Sequence, residues 1–146
     1  MSKSNTFENE ILQLLFNNVD IADIGDAGGL QNSATAGSLY IALHTGDPGE
    51  AGTATTNECT YGSYARVAVA RSVVGWTVSG NTSVNAAQIS FPECTSGSET
   101  VTYVSITTAS SGASKILYSG ALTASRAISS GITPLFAASA LTVTED

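Results

Sequence analysis

Leu39-Tyr40-Ile41-Ala42-Leu43-His44-Thr45-Gly46-Asp47-Pro48-Gly49 is the stretch from which the fold of this chain is read. Large apolar side chains recur at Leu39, Ile41 and Leu43, every second position, which is the period of a strand with one buried face. The break after it is a turn by mechanism. Pro48 presets its φ, Gly46 and Gly49 tolerate positive φ, and Asp47 can accept from the backbone ahead of it. His44, at the strand end beside Thr45 and Asp47, is expected to act as a polar tie for this turn. The residues before the strand read as a helical preface, and those after the turn as further strands.

Upstream, residues 6–19 predict the one helix, capped by Asn5 or Thr6, with Glu8 and Glu10 in the first turn where the helix dipole favours carboxylates. Phe7, Ile11, Leu14 and Leu15 keep helical spacing, and Leu12, Phe16 and Val19 widen the stripe. A helix this apolar must be covered, by its own domain or by a neighbour, so Phe7, Ile11, Leu14 and Leu15 are candidate assembly-interface residues. Residues 20–37 carry Asp20, Asp23 and Asp26 among several glycines. Their spacing lacks the alternation and terminal Glu of a calcium loop, and no strand or Lys-Ser/Thr makes the glycines a phosphate cradle. Residues 1–37 are therefore expected to be a helix and an acidic, glycine-rich connector, and 38–146 the β domain, together one compact unit.

Downstream, Glu50 to Thr60 is a Thr-rich loop of a length usually functional or ordered by a partner. Strands are predicted over 64–71, 75–79, 87–91, 101–107, 115–119, 121–128 (after a kink at Gly120), 132–136 and 141–144. Ala65, Val67 and Val69 should share one face of the first of these, with Tyr64, Arg66 and Ala68 on the other. In the 101–107 strand, Val104 and Ile106 should face inward and Tyr103 outward. The expectation is an all-β fold, an antiparallel β-sandwich of about eight strands with one N-terminal α-helix, more jelly roll than immunoglobulin-like. The order Cys59, Trp76, Cys94 suits an immunoglobulin domain, but the cysteines lie too close together for it.

Composition narrows the function classes. The chain has 146 residues, 42% of them apolar and only 12% charged, with a formal charge of −7. That charge and the scattered Lys3, Arg66, Arg71, Lys115 and Arg126 exclude nucleic acid as a partner. No run reaches membrane-spanning length, and no apolar signal core comes after Met1, so synthesis in a cytoplasm is expected. Cys59 and Cys94 then read as free thiols, with a disulfide left open for oxidising surroundings. Two cysteines and one histidine do not make a metal site, and nothing calls for a cofactor. His44 lacks a Gly-x-Ser-x-Gly nucleophile, and Glu50, Glu58, Glu93 and Glu99 lack an aromatic cleft that would make a glycosidase pair, so no enzyme is expected. Among the tyrosines, which could line an interface or a glycan site or be half-buried sheet residues, Tyr64 and Tyr103 are candidate interface residues.

The block Leu39 to Gly49 with Gly52, Thr56 and Glu58, then Tyr64-Ala65-Arg66-Val67, Gly75-Trp76, Ile89-Ser90-Phe91-Pro92 and Leu117-Tyr118-Ser119-Gly120, resembles a family of small tailed-bacteriophage proteins commonly labelled tail fibre protein. The resemblance spans nearly the whole chain. It implies a virion component, made in the host bacterial cytoplasm and assembled in multiple copies. Three readings are open: a short tail fibre, a capsid decoration (cement) protein, or a glycan-binding recognition module. The chain has no shaft of repeats or heptads. Expected partners are copies of itself, trimer before dimer, and other virion proteins of the tail or the major capsid protein.

Overall fold

A computed structural model describes all of residues 1–146. The elements in chain order are α1 (Asn5–Asn17), β1 (Ser38–His44), β2 (Val67–Ala70), β3 (Trp76–Ser79), β4 (Thr82–Asn85), β5 (Ile89–Ser90), β6 (Ser98–Thr107), β7 (Ile116–Ser129), β8 (Leu135–Phe136) and β9 (Thr142–Thr144). The fold is strands in antiparallel sheets with a single N-terminal helix, as the hydrophobic periodicity predicts. Strand orders are β2-β1-β6-β7, β3-β4-β9 and β5-β8. The chain forms two compact units assembled from separated segments: 1–38, 69–88 and 136–146 in the first, 39–68 and 89–135 in the second.

In the first unit, α1 packs on the β3-β4-β9 sheet. Its N-cap is Ser4, one residue before the expected cap, whose hydroxyl accepts from Phe7 N at 3.3 Å. The buried line is Leu12 and Phe16, with Phe16 against Trp76 at 4.6 Å between ring centroids. Phe7, Ile11, Leu14 and Leu15 stay half-buried. The helix ends on Asn18 in the left-handed region, and Arg71 supplies the charge that its last turn lacks. The Arg71 guanidinium donates to Leu14 O at 2.7 Å and Leu15 O at 2.8 Å, where the dipole is negative. The same group reaches Ser33 Oγ and Ala36 O, anchoring the connector. That connector is itself ordered: Ile21 and Leu30 exchange backbone hydrogen bonds, and Asp26 accepts from Gly28 N and Gly29 N. The strand β4 has no apolar alternation to announce it. Its Ser83 and Asn85 are fully buried, and Asn85 donates to Ala87 O and Ala137 O and accepts from Leu141 N, pinning the segment before β9.

In the second unit, β1 and β6 pair in register from Tyr40↔Thr107 to His44↔Tyr103. Leu39, Ile41 and Leu43 are buried as their period requires, but Ala42 and His44 on the opposite face are buried too. The cover is the Thr-rich loop, which is ordered by its own chain: Ala54 is fully buried and its N–H donates to Ser114 O at 3.0 Å. On β6, Val104 and Ile106 face inward as expected, and Ser105 and Thr107 are buried on the other side. The strand expected over 64–71 is only Val67–Ala70, so Tyr64, Ala65 and Arg66 precede it and the expected alternation does not extend to them; Ala65 is exposed and Arg66 buried. Glu58 draws Arg66 inward. The kink expected at Gly120 lies just beyond it: between the pairs Tyr103↔Ala121 and Val101↔Arg126, residues 122–125 of β7 face Thr102 alone. Such an excursion interrupts the ladder and turns the edge strand outward.

Candidate functional site

The polar groups of the second unit converge where β1 meets the Thr-rich loop. Gly49 N donates to Asp47 Oδ1 at 2.8 Å, closing the turn expected from Gly46 to Gly49, and Gly49 takes φ +69°. Asn57 Nδ2 returns to Asp47 O at 2.9 Å, so the loop folds back along the strand end. Thr45 N donates to Asn57 O and Cys59 N to Leu43 O, continuing that contact as backbone pairing.

His44 is a strand residue rather than part of the turn, and its exposure is 0%. Nδ1 lies 2.9 Å from Thr56 O and Nε2 2.7 Å from Ser105 Oγ. A carbonyl can only accept, so Nδ1 carries the hydrogen and Nε2 accepts from the serine hydroxyl. Burial holds the His44 imidazole below its ordinary value, and the Thr56 carbonyl opposes that in part. This tautomer is the one a general base would use toward a serine. Ser105 is 1% exposed, however, and Nδ1 faces a carbonyl instead of a carboxylate, so the pair is sealed from any substrate.

Glu58, whose backbone pairs with that of His44, spends its carboxylate elsewhere. Arg66 Nε donates to its Oε1 at 2.6 Å and Arg66 Nη2 to its Oε2 at 2.7 Å, a two-pronged ion pair. The remaining guanidinium hydrogens go to Ala109 O, Gly112 O and Ser114 Oγ, so all five donors are used. Tyr64 OH donates to Glu58 Oε1 at 3.1 Å and accepts from Leu43 N at 3.0 Å. Burial pushes its phenol upward. The network locks β1, the Thr-rich loop and the 109–114 loop into one arrangement, which is structural chemistry.

Other reactive groups are muted in the same way. Cys59 and Cys94 are free and buried, and burial pushes the Cys59 thiol up to about 12, far from a nucleophilic thiolate at neutral pH. No three His, Cys, Asp or Glu side chains stand together as a metal set, and no helix is long and apolar enough to cross a membrane. Asp20, Asp26 and Glu99 accept backbone N–H groups: Asp20 from Asn32 N, Asp26 from Gly28 N and Gly29 N, and Glu99 from Thr60 N and Tyr61 N.

Of the residues singled out as an interface, Phe7, Ile11, Leu14 and Leu15 lie together on α1, half-buried, in the first unit. Tyr64 and Tyr103 are half-buried in the second, and Tyr64 belongs to the Glu58–Arg66 network. Glu58 and Arg66 enter the sequence reading one by one, within the family block and among the charges, but never as a pair, and Ser105 does not enter it. The one available signal is economy: in a chain with so few charges, an acid and a base eight positions apart around a strand start are candidates for a buried pair.

Residues 2–144 match the family model of the podophage GP4 fiber I protein gp80, and the chain belongs to that family. It is thus a fibre-type component of a phage virion. A search of curated proteins returned no match.

Proposed function

We propose that this member of the podophage fiber I family is a non-enzymatic building block of the short tail-fibre type, carried in several copies and acting through shape and surface contacts. The observation that carries the reading is the family match from residue 2 to residue 144, which takes in every element of the fold. The sealed His44–Ser105 pair supports it, because the only histidine of the chain is used for packing. We assign to assembly the half-buried stripe Phe7, Ile11, Leu14 and Leu15 of the first unit and, separately, Tyr103 of the second, with copies of the chain as trimer before dimer and with other tail proteins. Of the rings that a glycan site could use, Trp76 is buried against Phe16, and Tyr61 and Tyr64 pack edge to face at 5.2 Å.

Counting copies per purified particle against the major capsid protein tests the reading. A number in the single digits or low tens fits a fibre at the tail. Hundreds of copies would make the chain a decoration protein of the head and overturn the tail assignment.

A further inference from the structure

The turn between β2 and β3 is made of residues that neither water nor turn geometry favours. Ser72 O accepts from Gly75 N and Trp76 N, both at 2.9 Å, leaving Val73 and Val74 at its tip. The turn is fixed in shape, because a Cβ on Gly75 would stand 2.1 Å from Ala70 O. Turn centres ordinarily hold Gly, Asn, Asp, Ser or Pro, and β-branched side chains there gain nothing locally. Yet Val73 and Val74 are 74% and 76% exposed, the most exposed large apolar side chains after Met1. One exposed valine needs no explanation; two adjacent ones on a rigid tip do.

Area and charge identify what covers them. The pair offers on the order of 200 Å² of apolar surface, against about 800 Å² per partner in a stable interface. Alone it cannot hold two copies together, so it fits a knob that enters a pocket. The first unit, which holds this turn, carries seven acidic side chains and two basic ones. Both cations are engaged, Lys3 with Glu145 at 3.1 Å and Arg71 with the end of α1. Arg71, at the root of the turn, also reaches Ser33 Oγ, and Asn18 Nδ2 donates to Ser33 O, so the connector bearing exposed Asp20, Asp23 and Asp26 is tied to the same end of the helix. A second copy docking through this same face would bring the same acidic surface and repel it.

We propose that the Val73–Val74 turn is a docking knob that enters an apolar pocket rimmed by Lys and Arg on a different protein of the virion. The proposal rests on the structural role assigned to the chain and names the kind of partner that role requires.

The test is binding of the purified chain to phage particles assembled without it, at low and high salt, for wild type, V73D/V74D and V73S/V74S. All three should show the same circular dichroism and nearly the same melting, since Val73 and Val74 are already 74% and 76% exposed. Wild type should load saturably and weaken as salt rises, and both variants should load at least tenfold less. Variants that load like wild type overturn the knob, and salt-independent loading overturns the basic rim. If wild type sediments as an oligomer and the variants as monomers, a second copy is the occupant and the proposal fails. Wild type that binds no particle at all refutes the structural role itself, a result separable from failure of the knob.

Discussion

Replacing Glu58 by Ala isolates what the buried ion pair contributes. The substitution strips two charge-assisted bonds from Arg66, whose side chain is 2% exposed, and the only acceptor of the Tyr64 hydroxyl. Removing one partner of a buried pair costs about 3–5 kcal/mol, because the remaining charge is left without compensation. Glu58 is itself 14% exposed, so water can partly replace it and the lower end applies. About 3 kcal/mol is expected, a large share of the roughly 5–15 kcal/mol that holds a domain of this size. At about 2.1 cal/mol/K of unfolding entropy per residue, that is a fall in Tm of about 10 °C. Urea titration and thermal melts of E58A, R66M and E58L/R66M measure it. The double variant should lose less than the singles summed, by about 2 kcal/mol or more, because it leaves no charge alone. E58A within about 1 kcal/mol of wild type, or an additive double variant, would show that the pair is solvated and that the network does not organise the loops.

Three further outcomes are expected from the same geometry. His44 is held below 6.5, so unfolded chains take up its proton while folded ones do not; the stability it contributes is complete above about pH 6.5 and drains as pH falls below that value. Urea midpoints between pH 7.5 and 5.5 should show this slope, and His44→Gln should flatten it; an unchanged slope would assign it to other groups. Arg71→Met removes two donors from the end of α1 and two from the connector, and should cost about 2–3 kcal/mol, seen as faster amide exchange in the last turn of the helix. Asn85→Ala leaves Leu141 N without its acceptor in the interior and removes a donor from Ala87 O and Ala137 O, and should cost about 1–3 kcal/mol by urea titration, whereas the same change at exposed Asn81, in the turn between β3 and β4, should cost well under half of that.

Amino-acid order by itself settled the fold class, the helix and the turn after β1. Those features rest on local physics: period-two and period-3.6 burial, and the fixed φ of Pro48 beside Gly46 and Gly49. The block from Leu39 to Gly49 also carried the family. Its limits show at β4, where Thr82, Ser83 and Asn85 have no apolar rhythm and become a strand because β3 and β9 flank it. They show again at Ala65 and Arg66, whose burial is the reverse of their hydropathy. Only the tertiary structure decided that Glu58 comes to Arg66, that Thr56 and Ser105 close over His44, and that Arg71 ends α1. Each of these pairs polar groups across chain separations that no local propensity spans. A charge enters the interior only when a partner waits there, and the position of that partner is a property of the folded chain.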